Sequence, residues 1–149
     1  MQRAERSIRV RAKVADVYRF WRNFENFPQF MEHVEEVRKL DADGKRTHWK
    51  LKGPVGMSVE YDADLTQEVE NASLGWNSTG GSMQTSGTVT FTEVDDYTEI
   101  HVVMQWYDTP GGALGEVASR LFQNPDDMLQ EDVERFKNLV ETRSGAAAR

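Results

Sequence analysis

What most narrows the fold is a change of hydrophobic period along the chain. From Val34 to Tyr107 apolar residues recur at every second position, whereas after Gly111 they recur at helical spacing. Leu114, Val117, Ala118, Leu121 and Phe122 fall at i, i+3, i+4, i+7 and i+8, and beyond Asn124-Pro125 the stripe resumes at Leu129, Val133, Phe136 and Val140. A long helical pattern over 111–143, interrupted once at Asn124-Pro125, thus has one apolar face that needs a large partner. Asp126 and Asp127 follow Pro125 and suit the positive end of a helix dipole, while Asp132, Glu134, Lys137 and Asn138 read as its wet side.

The partner is built from the segments before it. Ser7 to Arg11 alternates around Ile8 and Val10 as a short strand, then Val14, Val17, Tyr18 and Trp21 form a helical stripe. A second short helix is expected around Asn26, Phe27 and Pro28. Six strands follow: Val34–Leu40, Thr47–Lys52, Val59–Leu65, Leu74–Ser78, Gln84–Val94 and Thr98–Tyr107, separated by turns at Asp43-Gly44, Gly53-Pro54-Val55-Gly56, Asn71–Ser73, Thr79–Ser82 and Asp95-Asp96. Short turns between successive strands imply an antiparallel meander, and a single terminal helix implies that it covers the concave side. The packed domain is expected to run over 1–143, with 144–149 as a disordered tail that has nothing to bury.

Composition excludes several function classes. With 149 residues there is room for one domain with a sizeable core. A formal charge of -7 opposes binding to nucleic acid or to an anionic membrane surface, since both would repel it. The absence of cysteine rules out disulfides, thiolate metal sites and cysteine nucleophiles, and is compatible with a cytoplasmic location. No apolar run exceeds three residues, so neither a signal peptide nor a membrane span is expected.

Catalytic patterns are sparse. His33, His48 and His101 are isolated in sequence, and alternation turns His48 and His101 away from the face carrying Trp49 and Val102, so no metal site and no cofactor is expected. Glu60, Asp62 and Asp64 share one outward strand face and read as solvated charge. Gly-x-Ser-x-Gly is missing, and Gly111-Gly112-Ala113-Leu114-Gly115 lacks the Gly-Lys-Ser/Thr of a phosphate loop. Among groups able to polarise a carbonyl or take a proton, the candidates are Tyr61 and Tyr107, with Trp76 or Trp106 as indole donors. Alternation puts Tyr107 on the wrong face, which leaves Tyr61 as the candidate for catalysis.

Four strings carry a resemblance: Phe20-Trp21-Arg22-Asn23-Phe24-Glu25-Asn26-Phe27-Pro28 with Phe30-Met31, Gly53-Pro54-Val55-Gly56, Pro110-Gly111-Gly112-Ala113-Leu114-Gly115, and Asp132-Val133-Glu134-Arg135-Phe136-Lys137. From about Ile8 to Thr142 the chain resembles the START-like (SRPBCC, helix-grip) superfamily, within it the polyketide cyclase/dehydrase and lipid-transport group, and is similar to coenzyme Q-binding proteins. The resemblance implies an α+β helix-grip fold, a strongly bent antiparallel sheet of about seven strands around a long C-terminal helix, with a hydrophobic cavity between them. Alternation and the helical stripe nominate its lining as Trp49, Leu51, Tyr61, Ala63, Trp76, Val89, Phe91, Val102, Met104 and Trp106 from the sheet, with Leu121, Leu129, Val133 and Phe136 from the helix.

Three functions stay open on the sequence. The first is binding, and carriage, of an apolar small molecule such as a lipid, isoprenoid quinone or polyketide. The second is an aromatic polyketide cyclase/dehydrase-type enzyme, and the third a module that binds a protein partner.

Overall fold

The computed structural model describes residues 2–52, 58–81, 83–107 and 124–148, the last five of these by backbone alone. Among them are seven strands: β1 (Gln2–Val10), β2 (Val34–Lys39), β3 (Arg46–Lys52), β4 (Ser58–Val69), β5 (Ser73–Gly81), β6 (Gln84–Val94) and β7 (Tyr97–Tyr107). The helices are α1 (Val14–Arg22), a 3-10 helix (Phe24–Gln29) and α2 (Pro125–Ala148). One antiparallel sheet runs in the order β1-β7-β6-β5-β4-β3-β2, so the first strand closes onto the last and the rest is a meander. The sheet curls into a half-barrel with α2 along it, which is the helix-grip α+β arrangement expected from the sequence.

Register explains the curl and the lining together. Trp49 on β3 is opposite Tyr61 on β4, and the two rings stack 6.0 Å apart with 6° between their planes. Two irregularities follow in the β4–β5 pairing, at Asp62/Ala63 and Leu65/Gln67, and such bulges increase local twist. On β6 and β7, Val89 is opposite Val102 and Phe91 opposite Ile100, placing all four side chains in the buried interior. The turns take residues that tolerate positive φ: Gly44 at 68°, Asn71 at 61° and Asp95 at 54°.

α2 is fastened to the edge of the sheet as well as to its face. The main-chain N–H of Glu5 donates to Asp126 Oδ1 at 3.0 Å, and that of Arg11 donates to Glu141 Oε2 at 2.7 Å. Helix carboxylates thereby satisfy N–H groups along the edge-strand side of the chain that would otherwise invite another strand. Between α1, the 3-10 helix and the middle of α2 lies a dense ring cluster. Trp21 meets Phe136 at 5.0 Å, Phe27 meets Phe30 at 4.9 Å, and Phe30 meets Phe136 at 5.0 Å.

Several boundaries differ from the sequence expectation. β1 starts at Gln2 rather than Ser7, because Gln2 to Arg6 pair with Trp106 to Val102 although only Ala4 among them is apolar and buried. The expected tip at Thr79–Ser82 is partly strand, since Gly80 and Gly81 pair with Asp62 and Tyr61. Helical backbone continues through Ala148, past the expected domain end at Arg143. The expected helical stretch 111–123, with Leu121, and the loop Gly53–Gly56 lie outside the described residues.

Candidate ligand-binding cleft

The inner sheet face and the first turns of α2 leave a cleft between them. From the sheet, Trp49, Leu51, Tyr61, Trp76, Met104 and Trp106 line it. From α2 come Pro125, Met128, Leu129 and Asp132, which are spaced i, i+3, i+4 and i+7 and therefore share one helix face. The third wall is the segment after the 3-10 helix, through Met31, His33 and Val34.

Of the residues nominated from the sequence, Trp49, Leu51, Tyr61, Trp76, Met104, Trp106 and Leu129 meet around this cleft. Ala63, Val89, Phe91, Val102, Val133 and Phe136 are buried in the core away from it. Phe91 packs edge-on against Tyr18, and Phe136 against Phe20, Trp21 and Phe30, so ring contacts occupy the space that alternation alone left open. The volume is also smaller than the cavity the resemblance implies. It is about 40 Å³, against roughly 150 Å³ for an engineered cavity that admits benzene. A larger hollow of about 410 Å³, edged by Asp16, Arg19, Asn23 and Arg143, opens to solvent outside α1 and would leave a ligand largely wet.

His33, Tyr61 and Asp132 interrupt the apolar lining. Tyr61 is 5% exposed, and burial raises its phenol well above the ordinary value. Asp132 is 8% exposed, which corrects its assignment to the wet side of the helix. Its position three residues after Leu129 and four before Phe136 puts it on the buried stripe, a spacing visible in the sequence. The Glu32 main-chain N–H donates to Asp132 Oδ1 at 3.3 Å, and Arg135 Nη2 donates to the same oxygen. Arg135 Nε also donates to the Phe30 carbonyl at 2.9 Å, so the pair ties α2 to the segment that forms the third wall. Burial outweighs these attractions and pushes the Asp132 carboxyl up to about 6.

The Trp49 indole and the imidazoles of His48 and His101 are engaged. Trp49 Nε1 donates to Thr47 Oγ1 at 2.7 Å, inside the sheet. His48 is not isolated: on the outer face its Nδ1 lies 2.6 Å from Asp62 Oδ1 and its Nε2 3.0 Å from Glu60 Oε1. Those bonds, to Glu60 first, raise the His48 pKa, and the bond to His48 lowers that of Glu60. Asp64 accepts from Arg46 Nε at 3.1 Å, so the outward carboxylates are paired across strands as well as solvated. His101 bridges Ser7 Oγ at 2.5 Å and Glu5 Oε2 at 2.6 Å, also outside.

Comparison with known proteins agrees with this architecture. Residues 10–134 match the family model described as polyketide cyclase / dehydrase and lipid transport. A 17.2 kDa protein encoded in the melC2-rnhH intergenic region of Streptomyces lincolnensis is 32% identical over 144 residues, covering 96% of this chain and 92% of that one. Among solved structures, DR_A0006 from Deinococcus radiodurans superimposes with a TM-score of 0.76 at 23% identity, covering 95% of this chain and 98% of the other. A START superfamily protein from Mycobacterium smegmatis gives 0.70 at 15% identity, with 94% and 97% covered. At those identities the two structures speak for the fold alone.

Proposed function

This chain belongs to the polyketide cyclase/dehydrase and lipid-transport family, and on that premise we propose that it binds an apolar small molecule, of the lipid, isoprenoid quinone or polyketide class, in the cleft between the sheet and α2. The observation that carries the reading is the convergence of Trp49, Trp76, Trp106, Leu51 and Leu129 on one gap at the helix–sheet junction, where a core would ordinarily be filled. The described gap is water-sized, so binding goes with widening. Met31, Met104 and Met128 stand around it, and unbranched thioether side chains repack at small cost. Ligand burial then contributes roughly 25 cal/mol per Å² of apolar surface.

Titration with N-phenyl-1-naphthylamine, a neutral apolar dye, tests this. One saturable site is expected, lost in Met128→Trp while circular dichroism and Tm hold. Failure to saturate, or identical binding by the variant, would sink the proposal.

One observation favours a second reading, acid–base chemistry on a substrate of the cyclase/dehydrase type. Tyr61 and Asp132 line the same cleft, and a carboxyl near 6 changes protonation close to neutral pH, as a general acid or base must. Under that reading Tyr61→Phe and Asp132→Asn each abolish turnover of a cyclisable poly-β-ketone and leave dye binding in place.

A further inference from the structure

Tyr61 and Asp132 are both more than nine-tenths buried against the cleft, and each has hydrogen-bonding capacity that the described residues leave unused. No described group bonds the Tyr61 hydroxyl. On Asp132 both donors go to Oδ1, which leaves Oδ2 unengaged among the described residues. A polar atom at the wall of an apolar cleft is poorly solvated, and a guest that engages it adds a hydrogen bond. A saturated hydrocarbon engages neither.

The titratable groups at the cleft are Tyr61, Asp132, its ion-pair partner Arg135 and the imidazole of His33, which also lines it. Arg135 shares the Asp132 carboxylate, yet its side chain is 39% exposed and it does not line the cleft, so its charge points out of the space a ligand would fill. A ligand carboxylate would meet the Asp132 anion at short range in a poorly screened site. A neutral hydroxyl can donate to Asp132 Oδ2 and accept from Tyr61, while its ring lies along the stacked Trp49–Tyr61 wall.

We propose that Asp132 and Tyr61 make this cleft selective for neutral ring compounds bearing a hydroxyl donor, phenols and enols, and that Asp132 rejects carboxylates of the same shape. This rests on the cleft being the ligand site proposed above.

A matched trio of 2-naphthol, naphthalene and 2-naphthoate, titrated at pH 7.5 and followed by amide chemical shifts, separates the two claims. The full chain should bind 2-naphthol about tenfold more tightly than 2-naphthoate, and several-fold more tightly than naphthalene. Asp132→Asn keeps the shape of the side chain and its bond from the Glu32 N–H, and should bring 2-naphthol and 2-naphthoate within about threefold of each other. Tyr61→Phe should erase part of the preference for 2-naphthol over naphthalene and leave the rejection of 2-naphthoate. If the unsubstituted chain binds 2-naphthol and 2-naphthoate equally, or Asp132→Asn leaves their ratio unchanged, selectivity through Asp132 is overturned and the site itself stands. If none of the three binds, the site falls and the selectivity with it.

Discussion

At one end of the concave face Trp21, Phe27, Phe30 and Phe136 meet ring against ring, while at the other Trp49, Tyr61, Trp76 and Trp106 surround a gap. Trp49 and Trp76 are the partition: each packs on Phe27, at 5.0 and 6.3 Å, and each also lines the cleft. Residue type is the same on both sides of that partition, so it does not decide where space is left. What differs is the company. In the cluster, α1, the 3-10 helix and α2 all deliver rings to one point, whereas the cleft receives three methionines, a histidine and a carboxylate. Rings interlock at edge-to-face angles; a buried carboxylate holds neighbours at hydrogen-bond distance and keeps a polar opening among them.

The contrast can be broken most severely in the cluster. Phe136→Ala removes a fully buried ring that touches Phe20, Trp21 and Phe30, and should cost about 3–5 kcal/mol in urea unfolding. A loss under 1 kcal/mol would mean that the cluster is no tighter than the cleft.

On the cleft side the largest effect should carry the opposite sign. Burial raises the folded-state carboxyl of Asp132 from 3.8 to about 6, so its ionised form penalises the folded state. That penalty is absent below about pH 4, builds as pH rises through 6, and is complete above about 7. Asp132→Asn should therefore raise stability by about 1–3 kcal/mol at pH 8 and by almost nothing at pH 4, read from paired denaturation curves. A variant that is less stable at pH 8 would make Asp132 a net tie between α2 and Glu32.

The smallest effect sharpens the comparison through function. Met128→Leu is close to volume-conserving and should change stability by under about 1.5 kcal/mol. It should nonetheless weaken N-phenyl-1-naphthylamine binding several-fold, because a branched side chain repacks less readily. Equal dye affinity would show that Met128 does not move when the cleft fills.

Much of this was legible in the sequence, for reasons particular residues make plain. Alternation at Val59, Tyr61 and Ala63, and at Trp49 and Leu51, sets which side chains point inward, and all five are buried. Alternation is silent on what stands opposite, so Val89 and Phe91 carry the same signal as Trp106, although rings of α1 pack over Phe91. Asp132 is legible by its spacing from Leu129 and Phe136, although its charge alone points to the wet side of the helix. Gln2 to Glu5 had no local signal at all, since their strand is imposed by pairing with β7.

Gly87 shows how closely one cleft wall is set. A Cβ there would come within 2.4 Å of the Trp76 ring, so the missing side chain fixes how deeply that indole sits in the sheet.

The pairing of β1 with β7 also governs the order of assembly. Residues 2 and 106 are partners, so the N-terminal strand cannot find its place until some hundred later residues have been made. As the chain emerges from a ribosome, its first strand waits unpaired while the meander forms behind it, and joins last with the helix that seals its edge. Slow, all-or-none refolding is what such long-range closure imposes, and anything fused ahead of Gln2 would emerge beside Trp106, at the rim of the cleft.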